Sequence, residues 1–340
     1  MNFFPTVVTR SLATIVVLTQ PCAASAQGPL QDDLRAQLSA RLEAIARAVD
    51  GVVGFAVMDL TSGEQVAARL EREPFPTASA IKVPILYELL KRADEGTLQL
   101  DAPQPLNRSQ VAGGSGVLRH LTTPSLSLRD HAALMMILSD NTATNVVIDA
   151  VGMANVTARM HRFGLGDIQL RRKMMDDAAV RRGDENVASP VSLLKSTELL
   201  WKGEGLTPAR RDLGREIMLL VSGAIRSIIP SRIEVFSKTG SLTGVRAETA
   251  IVDLPNAPFG IAVMTTYLSE DSAGSRAIGE MAAAAYAYFD RIASSGRYGR
   301  RSPVATVFAG EKATSSAGLP REKQNVLPTR VTAQIGPPTF

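Results

Sequence analysis

Apolar residues open the body of the chain at helical spacing. Leu30, Leu34, Leu38, Leu42, Ile45 and Val49 recur every three or four positions, which predicts an amphipathic helix. "VVGFAVMDL" follows as a strand-like run ending in the turn "TSGE", and "QVAARL" reads as its hairpin partner. From Thr77 to about Ser227 helical periodicity dominates, with helices predicted over 80–94, 127–138, 142–151, 153–163, 190–200 and 208–223. Between Phe163 and Pro190 lies the charged, irregular stretch "GLGDIQLRRKMMDDAAVRRGDENVAS"; a connection of that length is usually a functional loop. Strand patterns return from Ile233 as "IEVFSKTG", "VRAETAIVDL" and "GIAVMTTYL", joined by turns at "GSLTG" and "PNAP". An Ala-rich helix from about Ser272 to Ala293 ends the patterned part.

Neither flanking piece has enough strands to stand alone, so the two must meet in one sheet. The expected fold is α/β (α+β) with two subdomains. Residues 27–72 and 230–294 form an antiparallel sheet flanked by the terminal helices, and residues 73–229 form an inserted all-α subdomain. A site is expected in the cleft between them. Residues 295–340, rich in Ser, Gly, Pro and charge, are expected to be a disordered tail.

Composition narrows the class. With 340 residues and 45% hydrophobic content the chain can bury a large core, and at 5% aromatics that core is mostly Ala, Leu, Val, Ile and Met. Residues 1–26 combine Arg10, the apolar run "SLATIVVL" and small residues ending "ASA", the layout of a signal peptide cleaved after Ala26. The run is too short to span a bilayer comfortably; the other reading is a cytosolic chain with an apolar start. Export implies a periplasmic or secreted protein, not membrane-spanning. Cys22, the only cysteine, falls inside that segment, so the mature protein would carry no thiol, disulfide or cysteine metal ligand. The net charge of +4 includes one Arg in the leader and an excess of five positive charges after residue 294, which leaves residues 27–294 at −2. That balance gives no support to a nucleic-acid footprint.

The candidate chemistry begins in "TASAIKVPIL", residues 77–86. Pro84 fits only the first turn of a helix, so the helix should start near Ser79 with Lys82 about one turn on and on the same face. A lysine in apolar surroundings has its charged form disfavoured, and the neutral amine can take a proton from a serine hydroxyl. Alone, S-x-x-K also fits a serine cap followed by a solvated lysine. Two further motifs join it: "SDN" at Ser139, Asp140 and Asn141 after the apolar helix "HAALMMIL", and "KTG" at Lys238, Thr239 and Gly240 at a strand end. Each alone reads as an ordinary turn.

Together, in this order, the three motifs resemble those of class A β-lactamases and penicillin-binding proteins. "ASAIKVPILYELLKRADEGTLQLD", "GGSGVLRHL", "SLRDHAALMMILSDNTATN" and "KTGSLTGVRAETAIVDLP" are similar to that family's active-site segments, over about residues 30–293. The resemblance implies Ser79 as nucleophile forming an acyl-enzyme and Lys82 as general base or proton relay. It implies that Ser139 passes a proton towards the leaving nitrogen and that Asn141 bonds Lys82 and the substrate's side-chain amide. Lys238 would supply positive potential, Thr239 and Ser241 would bind the substrate carboxylate beside Gly240, and the Ser79 and Ser241 N–H groups would form the oxyanion hole. Arg246 is either an extra carboxylate contact or a surface arginine at the sheet edge. The resemblance implies a small-molecule substrate, a β-lactam or peptidoglycan-like amide, a monomer, and no cofactor or metal.

One departure matters. Class A enzymes carry E-x-x-x-N in the long loop, and the glutamate activates the water that clears the acyl-enzyme. Counting back from Ser189 and Pro190, that slot falls at or near Lys173, and the motif is absent. Asp176 or Asp177 is the substitute acid expected here; Glu185 more readily belongs to a turn. Three readings stay open: a β-lactamase with a displaced acid, a serine hydrolase of this fold acting on another amide or ester (a DD-carboxypeptidase or esterase), or a penicillin-binding protein that acylates without turnover. His120, His131 and His161 are isolated in sequence, and no phosphate-binding or dinucleotide glycine pattern occurs.

Overall fold

In the computed structural model, residues 28–122, 125–296 and 298–301 are described. The expected leader, 1–26, and the tail beyond Arg301 lie outside them. Helix α1 (Pro29–Arg47) leads into strands β1 (Val52–Asp59) and β2 (Gln65–Arg69). A short β3 (Phe75–Pro76) and a 3-10 turn (Ala78–Ile81) then run straight into α2 (Lys82–Asp94). Strands β4 (Pro103–Pro105) and β5 (Ser125–Ser127) pair beside the helices α3 (Leu128–Ile137), α4 (Asn141–Val151) and α5 (Met153–Arg162). The long loop carries the short helix α6 (Asp177–Arg181) and β6 (Val187–Ala188), which pairs with β3. Helices α7 (Pro190–Lys202), α8 (Pro208–Leu219) and α9 (Ala224–Ile228) precede β7 (Val235–Leu242), β8 (Val245–Val252), β9 (Phe259–Thr266) and α10 (Asp271–Ser294).

The five-stranded sheet has the order β2-β1-β9-β8-β7 and is antiparallel throughout. The two chain ends meet where β1 pairs with β9 along its whole length, from Val52 opposite Thr266 to Asp59 opposite Phe259. Both faces of the sheet are covered, which is why its strands read as near-continuous apolar runs. One face packs Phe55, Val57, Val235 and Val263 against α1 and α10, with Phe259 and Phe289 stacked at 4.5 Å. The other face packs Ala56, Met58, Phe236 and Met264 against the helical block. At the centre of that block, α2 buries ten of its thirteen residues, Lys82 and Glu88 among them, so it is enclosed nearly all round. Each fully buried Leu or Phe in these layers contributes roughly 1.5–3 kcal/mol over exposure. The charged side chain of Glu88 on α2 is matched by Arg159 on α5, at 2.8 Å.

Four local expectations are corrected. The segment expected to begin a helix at Ser79 starts as a 3-10 turn, so Ser79 precedes α2, whose first residue is Lys82 with Pro84 in its first turn. Helix α8 stops at Leu219, and Gly223 in extended conformation separates it from α9. The β7–β8 turn is two residues, not five: Gly240 and Ser241 stay in the ladder opposite Ala247 and Arg246, and Gly244 takes the positive φ, +72°. Past α10, Gly296 N–H bonds Arg300 O at 3.0 Å, so the first residues of the expected tail fold back.

Candidate active site

Three chain segments converge between the sheet and the helical block. The 3-10 turn brings Ser79 and Lys82, the α3–α4 junction brings Ser139 and Asn141, and β7 brings Lys238 to Ser241. Lys82 is fully buried, because it occupies the first turn of the central helix. Its ammonium donates to Ser139 O at 2.8 Å, Ser139 Oγ at 3.1 Å and Asn141 Oδ1 at 3.1 Å. Lys238 enters from the sheet and donates to the same Ser139 Oγ at 3.2 Å and to Thr239 O at 3.0 Å. One hydroxyl thus bridges two buried lysines. Lys82 N–H donates to Ser79 O at the end of the 3-10 turn, and among the described residues no side-chain hydrogen bond joins the two; Ser79 is half-buried.

Burial dominates the electrostatics. Desolvation, then the neighbouring Lys238, hold the Lys82 ammonium well below the usual lysine range, with Asp140 opposing. Burial pushes Lys238 down to about 8, with Glu248 opposing. Glu248 itself is buried on β8, opposite Thr239, and is pushed up to about 7 by burial. Its carboxylate accepts from Ala224 N–H at 3.0 Å and Ile225 N–H at 3.1 Å at the start of α9.

Backbone placement is enforced by contacts around the motifs. Asp140 caps α4 through Ala143 N–H and accepts from Val117 N–H at 2.6 Å and Leu118 N–H at 2.7 Å. The loop over Asp140 needs Gly116, at φ +106°, because a Cβ there would sit 2.2 Å from the Asp140 carboxyl. Asn141 also donates to Gly113 O at 2.9 Å. At β7, a Cβ on Gly240 would lie 2.5 Å from Thr77 O and 3.0 Å from Ser79 N, so the strand abuts the turn and puts Ser241 beside Ser79.

The remaining expected residues are placed differently from one another. Thr239 and exposed Ser241 follow Lys238 on β7. Arg246 donates to Leu242 O and Val245 O and pairs with Asp271 at 3.1 Å. Asp176 is the N-cap of α6, accepting from Ala179 N–H at 2.9 Å, and Asp177 is exposed in that helix. Lys173 pairs with Asp149, and Glu185 with Arg172. The part of the loop that reaches the site is instead Met174 and Met175. Met174 N–H donates to Asn145 Oδ1 at 2.9 Å, and Asn145 Nδ2 donates to Met174 O at 3.3 Å. Asn145 lies one helical turn after Asn141 on α4, so its neighbours lie next to Asn141.

Sequence reasoning passed over Asn145, Asn186 and Glu248. Asn186 accepts from Arg171 and Arg172 N–H, and its carbonyl accepts from Thr77 N–H at 3.0 Å, tying the neck of the long loop to the turn of Ser79. A lone Glu inside the apolar strand "VRAETAIV" was the available sign of Glu248. The histidines lie elsewhere: His131 Nδ1 contacts Ser127 O within α3, His161 packs on Gly166, and His120 bonds Arg119. Among the described residues no His/Cys/Asp/Glu group could hold a metal ion, and no helix is long and apolar enough to cross a membrane.

The chain is similar to known proteins over most of its length. A family model described as the β-lactamase enzyme family matches residues 37–289. The carbapenem-hydrolyzing β-lactamase KPC of Klebsiella oxytoca is 27% identical over 277 residues, covering 79% of this chain and 93% of that protein. The crystal structure of a β-lactamase from Sphaerobacter thermophilus is 30% identical, with a TM-score of 0.69 over 75% of this chain and 97% of that one. A variant of PBP-A, described as an acyl-enzyme complex with penicillin G, is 26% identical, with a TM-score of 0.69 over 76% and 97%. The chain therefore belongs to the β-lactamase enzyme family, as a class A β-lactamase-like hydrolase acting on β-lactams.

Proposed function

We propose that Ser79 opens the β-lactam ring and that the long loop makes release of the product the slow step. The observation that carries the first half is the Ser139 hydroxyl bridging two buried lysines beside the turn of Ser79. Ser139 Oγ accepts from both lysines on its two lone pairs and keeps its own proton free to give. Burial and the neighbouring Lys238 press Lys82 toward the neutral amine that can act as a base. Lys82 Nζ takes the proton of Ser79 as its Oγ bonds to the lactam carbonyl carbon. The oxyanion accepts from the N–H groups of Ser79 and Ser241; two such donors are worth several kcal/mol of barrier. The carbonyl re-forms, the C–N bond breaks, and the nitrogen takes the Ser139 proton, which Lys82 replaces. Lys238 and Thr239 hold the substrate carboxylate, and Asn141 holds the side-chain amide. Arg246, engaged by Asp271 and two carbonyls, is left as a support of the β7–β8 hairpin.

Hydrolysis of the ester then needs a base for water. Asp176 is a helix cap, and Asp149 and Glu185 are paired with cations, while the Met175 thioether stands where the loop meets Asn141. Either Asp176 or Asp177 serves slowly from a distance, or turnover stops at the acyl-enzyme. Intact mass against time after mixing with benzylpenicillin tests this: an adduct on Ser79 should form quickly and decay slowly, and Ser79→Ala should form none. Adduct formation by the Ser79→Ala variant would sink the assignment. The same spectra on exported protein give its N-terminus; we propose export and cleavage after Ala26, and an uncleaved chain would contradict it.

A further inference from the structure

The reaction above uses only β7 of the sheet, yet the face behind Thr239 holds a buried acid. Along β7, Phe236 packs with the helical block and Val235 with the α1 and α10 layer. Side chains alternate along a strand, so Lys238 shares the first face and Thr239 the second. Along β8, Ala247 and Ile251 lie in the first core and Ala250 and Val252 in the second. That puts Glu248 on the same face as Thr239, directly opposite it in the ladder. Lys238 and Thr239 are neighbours in sequence but rest on different supports. Lys238 bonds Ser139 in the helical block, whereas Thr239 lies against the entry to α9.

Glu248 is 1% exposed and divides its two oxygens between the first two amides of α9. Oε2 accepts from Ala224 N–H at 3.0 Å and Oε1 from Ile225 N–H at 3.1 Å. Amides at the start of a helix have no partner within it, and Gly223, just before them, has no side chain to cap them. Gly223 is extended, at φ −172°, a conformation open to any residue, so closeness and not torsion explains the glycine. A Cβ there would stand 2.2 Å from Glu248 Oε1 and 2.7 Å from Thr239 Cγ2. The acid thus clamps the entry to α9 onto the Thr239 methyl. Around the tetrahedral Cβ the hydroxyl then points about 120° away from Gly223, and the staggered wells of a β-branched side chain keep it there. A buried acid in an otherwise apolar strand costs the fold, and such departures from pattern are expected at functional positions.

We propose that Glu248 is a positioning residue for substrate recognition. By holding α9 on the Thr239 methyl it keeps the Thr239 hydroxyl in the rotamer that donates to the substrate carboxylate. The substrates favoured this way carry a free carboxylate beside the lactam nitrogen. Without the acid, two amides lose their acceptor, the entry to α9 lifts, and Thr239 gains other rotamers. The inference rests on the acylation reading above and extends the carboxylate site to a residue outside the three motifs.

The test compares acylation of the full protein by benzylpenicillin, which has the free carboxylate, and by its methyl ester, which does not. Second-order rates come from intact mass. The benzylpenicillin to methyl ester rate ratio should fall about tenfold in Glu248→Ala, the lower end of what a hydrogen bond to a charged group contributes. Glu248→Gln keeps one acceptor for α9 and should hold the ratio within about threefold of wild type. Gly223→Ala leaves the acid in place but presses α9 off Thr239, and should lower the ratio as Glu248→Ala does. If Glu248→Ala fails to fold, Gly223→Ala decides alone. A merely structural role would slow both compounds alike, so an unmoved ratio or an equal fall on both would overturn the role of Glu248. A fall in only one of the two alanine variants, both folded, would overturn the route through α9. Wild-type protein that made no distinction between the compounds would overturn carboxylate selection and this inference with it. Wild-type protein that reacted with neither would overturn the acylation reading itself.

Discussion

Ser139 reaches both lysines because its backbone adopts φ +52°, in the left-handed region that L residues seldom enter. That torsion turns its carbonyl as well as its hydroxyl toward Lys82, so one residue supplies two of the three acceptors of the buried ammonium. In the proposed reaction Lys238 attracts the substrate carboxylate, which requires it to be cationic. Its pKa is depressed to about 8, so its charge is present below that value and is lost as pH rises through it. Acylation of Ser79 by an anionic β-lactam should therefore fall above about pH 8, approaching tenfold per pH unit. Rates of adduct formation from pH 6 to 9.5 check this, and a flat profile to pH 9.5 would remove Lys238 from carboxylate binding.

At the scale of elements, the site depends on how closely β7 approaches the turn before α2. Gly240 permits that approach, since any Cβ would press on Thr77 O and Ala80 N at 2.5 Å and 2.9 Å. Gly240→Ala should push the strand away, destabilise the fold by roughly 1–3 kcal/mol, and lower acylation about a hundredfold by misplacing the Ser241 N–H. Melting temperature and acylation rate measured together decide it; a fall in stability with unchanged rate would show that the oxyanion donors do not depend on this contact. The contact also shows why the motifs were legible and their supports were not. Ser79, Lys82, Ser139 and Asn141 sit at or beside the ends of strongly periodic elements and Lys238 inside one, at spacings a reader can match. Asn145 with Met174, Asn186 with Thr77 and Asp140 with Gly116 join positions 24 to 109 apart through irregular segments that have no period. For the same reason the short α6 and α9 were not foreseen. Each has five residues and depends on a side chain from outside its own span: Asp176 caps one, and Glu248, from a strand twenty residues on, caps the other.

For the whole molecule, the site lies where the two cores meet, and it places ionisable groups in the least hydrated part of the fold. Lys82, Lys238 and Glu248 are all buried there. The consequence for global stability has a sign that can be worked out. Glu248 has a folded pKa raised from its model-peptide range to about 7. Between roughly pH 4.5 and 7 the native state thus holds a proton that the unfolded chain has released, and stability falls as pH rises across that window. Its stabilising contribution is fully present below the unfolded value and gone above about 7. Lys238 works oppositely: its contribution is present above the unfolded lysine value and is lost as pH falls through about 8. These two contributions are therefore smallest between about pH 7 and 8, where the lysine cation and the ionised glutamate are both buried. Glu248→Gln removes the first contribution and retains an oxygen to accept from the start of α9. Its melting temperature relative to the wild type should rise between pH 4.5 and pH 7, by several degrees if the two carboxyl values differ as the burial implies. Scanning calorimetry of both proteins at half-unit steps gives the difference directly. A difference that stayed constant across the window would mean that Glu248 titrates as an ordinary carboxylate, and that its burial is balanced by the α9 amides and Lys238 rather than by a retained proton.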